Sequence, residues 1–512
     1  LTITTATFTL QQGTTPVTGT VTYAGTSATF NPSSRLAPNT VYNAVITSVA
    51  ADPAGNTLAA NYLWSFTTGT AAGQTPVCLS NFAILAEGGV VGNGTSTVTG
   101  DIGTGPGNTV TGFPPGTLVG TVHIGDQAAA QGITAFTAAY AEAVSRSTGV
   151  VAVAGDIGGQ IFTAGLYRSA GSLTITSGDL IFDAKGDANA VFIFQIATTF
   201  TTAAGRQIIL ANGAQAFNVF LQVGTSATLG ASSVINGSIL ASQSITMGTG
   251  SVVNGRLEAL TGTVTLQSSV VHSPLPVIAA GGILNAADVA QTVAAGSIAT
   301  IFGNNLGSLL ASSSAFPLPT TLGGSSFTIG PYGAPLYMTS CSQANVQIPW
   351  ESAGLTLPPL TATTGDLVST TQPVNLVPFA PGIFTLNMVG SGQGAVEVAP
   401  TAVIAGLAGP GSNPVPRGGY IAIFCTGLGP VSNQPATGAA ASSNPLSQTL
   451  ALPTVAIGGA PAQVTFSGLA PGFAGLYQVN AIVPASVTPG SALTVVLSIG
   501  GVSSNTVTIA VQ

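Results

Sequence analysis

The sequence predicts a mainly β chain in which a triangular β-solenoid, with one long α-helix beside it, lies between β-sandwich units. Three observations carry this. Short strand words repeat through the middle at steps of 18 to 27 residues. One stretch, Asp126 to Arg146, has helical periodicity. A strand word, Ile301-Phe302-Gly303-Asn304-Asn305-Leu306-Gly307, returns in the tail as Ile423-Phe424-Cys425-Thr426-Gly427-Leu428-Gly429. The 512 residues suit three or four units. Only 4% are charged, 45% are hydrophobic, and 67 Gly and 32 Pro punctuate β-branched runs, the composition of many short strands under a neutral, hydroxyl-rich surface.

The same numbers exclude several functions. Seven Lys plus Arg against 14 Asp plus Glu give a net charge of −7 and a pI near 4.5. Nothing here attracts phosphate backbones or anionic lipid, so nucleic acid is not expected as a partner. Mean hydropathy is +0.55, yet no run of about 20 apolar residues offers a membrane span. Cys78, Cys341 and Cys425 are scattered and lack C-x-x-C spacing, so neither a disulfide framework nor zinc or redox chemistry is indicated. Each reads as a small apolar residue or a surface thiol, with a Cys341–Cys425 pairing left open. The chain starts at Leu1 without Met or a signal-peptide pattern and reads as a mature or trimmed product.

Residues 1–70 alternate with the period of half-buried strands, as in Ala28-Thr29-Phe30 and Val41-Tyr42-Asn43-Ala44-Val45. Asn31-Pro32, Pro38-Asn39 and Asp52-Pro53-Ala54-Gly55-Asn56 supply turns, and Trp64-Ser65-Phe66-Thr67 a closing strand with its aromatics on one face. Through "LAPNTVY", "DPAGN" and "WSFTTG" the segment resembles a bacterial immunoglobulin-like domain of the surface-layer and adhesin kind. That resemblance implies a spacer or a weak adhesion unit.

Residues 71–275 form the central unit. In its helix Ala129, Ile133, Phe136, Tyr140 and Val144 recur at helical spacing, and Asp126 suits the N-cap. After the helix two columns can be written. Ser172, Thr199, Ser226, Ser244 and Thr263 precede Leu173, Phe200, Ala227, Ile245 and Val264; Thr174, Thr201, Thr228, Thr246 and Thr265 follow. The Thr-to-Thr steps are 27, 27, 18 and 19, and the Val-Ile-Asn-Gly and Val-Val-Asn-Gly echoes at Asn236 and Asn254 are 18 apart. An 18-residue rung of three short strands is the unit of a triangular solenoid. Alternation sends the apolar residue inward and its two hydroxyl neighbours to water. Those two stand roughly 6.5–7 Å apart along the strand, with rungs about 4.8 Å apart. The product is a flat, uncharged grid of Ser and Thr on which water can be ordered.

"SNFAILAEGGVVGNG", "VTGDIG", "VTGFPPGTLVGTVH", "AGDIGGQIFTAGLYRS", "GDANAVFIFQIATTFTT", "NGAQAFNVFLQVGTSATLG" and "SITMGTGSVVNGR" are long, ordered words, and through them about two hundred residues resemble the microbial ice-binding protein family. The resemblance implies an irregular right-handed β-solenoid with a helix alongside, an ice surface as partner, and an extracellular location. A Thr-Ala/Gly-X-Thr/Asn motif associated with ice contact in part of that family is incomplete here. Thr249-Gly250-Ser251-Val252 ends in Val, and Ala231-Ser232-Ser233-Val234 lacks the opening Thr. The expected ice-binding residues are therefore the grid, Ser172, Thr174, Thr199, Thr201, Ser226, Thr228, Ser244, Thr246, Thr263 and Thr265, together with Thr249.

The tail divides into sandwiches at 276–378 and 379–512. Besides the repeated strand word, Gln343, Asn345 and Pro349 recur as Gln478, Asn480 and Pro484, with offsets of 122 and 135 that imply unequal loop insertions. With "ILNAADVA", "IFGNNLG", "APGIF" and "GLYQVNAIVP", the tail resembles the paired immunoglobulin-like C-terminal region of large secreted acidobacterial proteins. That implies attachment or spacing, with the cell envelope or a glycan as the natural partner.

Chemistry-bearing residues are sparse. His123 and His272, near the two ends of the solenoid segment, have no neighbouring ligand pattern and read as cap or surface residues. Gly155-Asp156-Ile157-Gly158-Gly159 lacks the lysine of a phosphate loop. Asp179, Asp183, Lys185, Asp187 and Asn189 evoke a calcium loop without its spacing or final Glu, and read as a turn between rungs. Arg206 and Arg256 read as residues that cover rung edges or pair with acids. No catalytic residue, metal or cofactor is expected, and a glycan-cleaving solenoid would need clustered carboxylates. The expectation is a secreted or surface-attached, non-enzymatic ice-binding protein, with a structural or adhesive surface protein as the alternative.

Overall fold

A computed structural model of the chain describes residues 3–4, 6–13, 15–24, 27–32, 41–51, 57, 61–67, 82–307, 310–409 and 411–512. Cys78 and the turn words Pro38-Asn39 and Asp52 to Asn56 lie outside the described residues. The chain forms two compact units, residues 1–76 with 187–191 and residues 77–186 with 192–512.

In the first unit an antiparallel sheet takes the order Thr15–Pro16, Phe8–Gln12, Val41–Ile46, Tyr62–Thr67, beside a hairpin of Gly19–Ala24 and Ser27–Pro32. Alternation buries Phe8, Leu10, Tyr42 and Ala44 on one face, with Phe30 packed on Phe8 at a ring distance of 5.7 Å.

The second unit opens with a right-handed, irregular β-solenoid from Ile84 to His272, in which parallel strands stack in four sheets on three faces. The chain does not climb it in one pass. The first rungs, residues 84–124, stack on the last, residues 257–272: Ile84 pairs with Leu257, Val90 with Val264 and Thr97 with Val270. The helix Gln127–Ser145 then runs back along the nine-stranded sheet to the opposite end, where Val150–Ala152 begins the ascent. Its 19 residues span about 28 Å, most of the roughly 38 Å that nine stacked strands occupy.

Asp126 caps the helix through its side chain, which accepts from Ala129 N at 2.9 Å. At the other end Gln195 Nε2 donates to the carbonyls of Ala143 and Arg146, at 2.6 and 2.9 Å, satisfying carbonyls left open by the last turn. The buried stripe keeps Ala129 and Phe136 of the predicted one and replaces the rest. Ala129, Gly132, Ala135, Phe136, Ala139 and Ala143 face the sheet, while Ile133 and Tyr140 are half-buried and Val144 is exposed. Close approach selects the small residues, since a Cβ on Gly132 would lie 2.6 Å from the Phe82 ring.

Two fillings match the two rung lengths. Where rungs step by 27 residues, Phe162, Tyr167, Phe182, Phe192 and Phe194 pack with ring centroids 4.8 to 5.4 Å apart. Each fully buried ring contributes roughly 1.5–3 kcal/mol. The shorter rungs need only aliphatic side chains such as Ile235, Ile239, Ile245 and Val253, all fully buried.

The tail follows without a break. Val277–Asn285, Ile298–Asn304, Gln343–Gln347, Leu336–Thr339 and Ala311–Ser312 form one antiparallel sheet, facing a second built on Ser325–Ile329 and Pro359–Thr364. In the last unit one eleven-stranded sheet folds over itself through the long strand Ala460–Leu469, enclosing Ile423, Cys425, Tyr477 and Leu497. Trp350, from the preceding sandwich, joins this core. The sequence repeat is a structural one: Phe302 pairs with Gln343 as Phe424 pairs with Gln478.

The cysteine reading is corrected. Cys341 is disulfide-bonded and Cys425 is a free, buried thiol, so the two do not pair. Cys425 points into the sandwich core, with no solvent exposure, and Cys341 lies in the turn between Leu336–Thr339 and Gln343–Gln347.

Candidate functional site

The three solenoid faces are not equivalent. The nine-stranded face is covered by the helix. The third is divided between five strands and three, joined by the single bridge Gln207–Val234. It carries Ile161, 62% exposed, and an amide ladder in which Asn254 Nδ2 donates to Asn236 Oδ1 at 2.8 Å. The remaining face is one unbroken sheet of eight strands, in the order Val110–Thr111, Val90–Asn93, Val264–Gln267, Ile245–Met247, Ala227–Leu229, Phe200–Thr202, Leu173–Ile175, Gly155–Asp156.

On this face Thr174, Thr201, Thr228, Thr246 and Thr265 occupy one register position in five successive strands. Leu173, Phe200, Ala227, Ile245 and Val264, one residue earlier, are fully buried, which turns the threonines outward. Thr228 is exposed and the other four half-buried. None of their hydroxyls has a protein hydrogen-bond partner among the described residues. A column at ladder spacing, about 4.8 Å per step, therefore presents alternating methyl and hydroxyl groups to solvent.

The second column is stacked as well but differs in chemistry. The carbonyls of Thr199, Ser226, Ser244 and Thr263 each accept an N–H from the neighbouring rung, at 3.0 to 3.2 Å. Ser226 Oγ accepts from Ser244 N, and Ser244 Oγ from Thr263 N, both at 3.3 Å. These two hydroxyls are partly turned into the ladder, whereas Ser172 and Thr199 are exposed. Thr249 stands apart from both columns, exposed in the turn between Ile245–Met247 and Val252–Asn254.

The column reaches further than the repeat after the helix indicates. Because the first rungs stack on the last, Val91 and Thr111 continue it beyond Thr265, and Thr109 precedes the strand of Thr111, both threonines exposed. The signal was present as Thr109-Val110-Thr111, the same word as Thr263-Val264-Thr265. Asp156 ends the column at the other side. Its carboxylate accepts from Thr176 Oγ1 at 2.5 Å and from the amides of Gly158, Thr176 and Ser177, which hold it well below the usual carboxylate range.

The remaining polar residues are engaged elsewhere. Asp183 accepts from Lys185 Nζ at 2.7 Å and Asn212 Nδ2 at 2.8 Å, lowering its pKa to about 2. Asp179 pairs with Arg206 at 3.5 Å. Among the described residues no group of three His, Cys, Asp or Glu is placed to hold a metal. His123 Nδ1 lies 2.8 Å from Asp126 Oδ2. His272 is an exposed residue whose strand stacks between those of Asn254 and Thr99. Arg256 is buried, bonds Asn305 Oδ1 at 3.2 Å, and has its pKa lowered to about 10 by desolvation despite the charge of Glu258.

Comparison with known proteins places these features in context. Residues 84–272 match the family model described as ice-binding-like, and residues 1–68 match that of a bacterial Ig-like domain. An ice-binding protein of Nostoc sp. (strain HG1) is 40% identical over 162 residues, 32% of this chain and 60% of that protein. The match thus spans less than two thirds of that relative. An ice-binding protein of Flavobacterium frigoris (strain PS1) is 34% identical over 212 residues, 38% of this chain and 74% of that protein. The crystal structure of an ice binding protein from an Antarctic biological consortium is 42% identical with a TM-score of 0.39, covering 40% of this chain and 95% of that one.

Proposed function

Because the chain belongs to the ice-binding protein family, we propose that its solenoid adsorbs to ice through the eight-stranded threonine face and so inhibits crystal growth or recrystallisation. The observation that carries this reading is the column of five in-register threonines whose hydroxyls no group among the described residues takes up. The proposed contact residues are Thr174, Thr201, Thr228, Thr246 and Thr265, flanked by Ser172, Thr199, Ser226, Ser244 and Thr263, with Thr249 at the edge. Thr109 and Thr111 extend the patch.

The face is preorganised for such contact. A β-branched side chain in a strand has a restricted χ1, so methyl and hydroxyl positions are fixed before contact. Stacking holds the sheet flat where free strands would twist. Water at such a face is ordered by unpartnered hydroxyls at a constant repeat and excluded by the methyls between them, and this layer merges with the crystal lattice. Little conformational entropy is lost on binding. No covalent step is involved, and none of the proposed contact residues is charged.

The flanking units, divided at about residues 70, 275 and 378, position the solenoid, and the C-terminal sandwiches attach it to the cell envelope or to a glycan. An extracellular location, secreted or surface-attached, is supported by the disulfide at Cys341, which persists in oxidising compartments. The test is the double variant Thr228→Tyr, Thr246→Tyr in the full chain. Two rings raised in the middle of the column keep the face from the lattice, so recrystallisation inhibition, crystal shaping and thermal hysteresis should fall on the order of tenfold or more, with the circular dichroism spectrum unchanged. Full activity in the folded variant would reject this face.

A further inference from the structure

The sheet containing Ile298–Asn304 and Gln343–Gln347 turns one side toward the last sandwich, and the two enclose a cleft of about 470 Å³. Its floor is polar and uncharged. Thr300 lies opposite Asn345 on the adjacent strand, and Asn345 Oδ1 accepts from Thr300 Oγ1 at 3.1 Å and from Gln343 Nε2 at 2.9 Å. Both bonds fall on one amide oxygen. The Asn345 Nδ2 group and Gln343 Oε1 are left over on neighbouring side chains, a donor pair and an acceptor with no hydrogen-bond partner among the described residues.

The walls are aromatic. Phe302, 39% exposed, rises from the floor strand, and Phe384 and Phe473, the latter 48% exposed, reach the cleft from the other sandwich. No lining residue carries a charge. The amide pair alone belongs to the internal repeat, since Gln478 Nε2 donates to Asn480 Oδ1 at 2.7 Å in the second sandwich. What distinguishes the first copy is the pair of phenylalanines that its neighbour places over it.

We propose that this cleft is a binding site for an uncharged saccharide. Ring faces pack against the C–H faces of a pyranose, while an adjacent amide donor and acceptor match the alternating donors and acceptors of vicinal hydroxyls. A concave, largely apolar site with a few convergent polar groups at a domain junction is the usual form of a small-ligand site. The absence of charge selects against uronic, sialylated or phosphorylated glycans. The floor is a sheet face of side chains and offers no free backbone edge, so it does not suit a peptide added as a strand. The inference rests on reading the C-terminal sandwiches as an attachment region and is independent of the ice face.

The test is native affinity electrophoresis of the full chain through gels containing laminarin, hydroxyethylcellulose, galactomannan or dextran, with a casein gel as the polypeptide arm. At least one polysaccharide should retard the protein and casein should not. Phe473→Ala and Asn345→Ala should each weaken retardation on the order of tenfold, and Gln478→Ala should leave it unchanged. Phe473 is half exposed, so its variant is expected to fold, checked by an unchanged melting curve, and carries the test if the Asn345 variant does not. Retardation undiminished in folded Phe473→Ala overturns the cleft and leaves the attachment reading standing. No retardation by any polysaccharide overturns both. Retardation by casein that Phe473→Ala abolishes assigns the cleft to a polypeptide and overturns the saccharide.

Discussion

The spacing of the threonine column depends on rungs that stack without a gap, and Gly255 tests how much that closeness is worth. A Cβ at this position would lie 2.0 Å from the carbonyl oxygen of Gly237 and 2.4 Å from its carbon, both backbone atoms of the next rung. Restoring an ordinary contact of about 3.5 Å takes a displacement of more than 1 Å between rungs only about 4.8 Å apart. The bonds Gly255 N to His272 O at 2.9 Å and Gly237 N to Asn254 O at 3.0 Å flank the clash and would be broken. Two lost backbone bonds at about 1 kcal/mol each, with overpacking of similar size, sum to about 3 kcal/mol. Gly255→Ala should therefore speed amide exchange in the peptides spanning residues 234–259 about a hundredfold, read by hydrogen-exchange mass spectrometry on the full chain. Gly171→Ala, where an added Cβ meets nothing within 4 Å, should change nothing. Exchange in Gly255→Ala within about threefold of the parent would refute the argument, because the rungs would then have room to spare.

Two further outcomes are expected. Asp101, where the solenoid meets the first C-terminal sandwich, has its pKa raised by burial and by Asp366, although Thr121 N donates to it at 2.9 Å. A carboxyl that holds its proton more tightly when folded costs stability as pH rises through the ordinary carboxylate range, so Asp101→Asn should raise the melting temperature at pH 7 and leave it unchanged at about pH 3, below both values; no gain at pH 7 would contradict the assignment. Cys425, whose thiol burial pushes far up, should resist iodoacetamide in the native chain and react only after unfolding, and rapid native labelling would show that the last sandwich opens.

Period and word repeats made the fold legible. The inward column Leu173, Phe200, Ala227, Ile245 and Val264 and the outward column of threonines follow from period two, which fixes every side chain's face once a strand is recognised. Three features did not follow. Helical periodicity pointed to Ile133 and Val144, but the distance to the sheet, set by Phe82, selected the small residues one position away. Thr109 and Thr111 share the repeated word, yet their place in the column depends on the first rungs stacking on the last, a long-range pairing invisible to local pattern. The cleft between the sandwiches joins Phe302 to Phe384 and Phe473, which have no common period.

The seam that joins the first rungs to the last also sets an order of assembly. Ser269 N donates to Ser96 Oγ across 173 residues of chain, and the strands Ile84–Ala86, Val90–Asn93 and Thr97–Thr99, paired on one edge with the strands that follow them, find a partner for the other edge only in residues 257–272. A ribosome must finish nearly the whole solenoid before these strands gain their second partner. Contacts this distant in sequence make folding slow and leave strand edges bare meanwhile. A low charge content does little to keep such edges apart, so yield should depend on how long the nascent chain waits. Slower refolding and more aggregation at higher protein concentration are the kinetic cost of closing the solenoid with its own beginning.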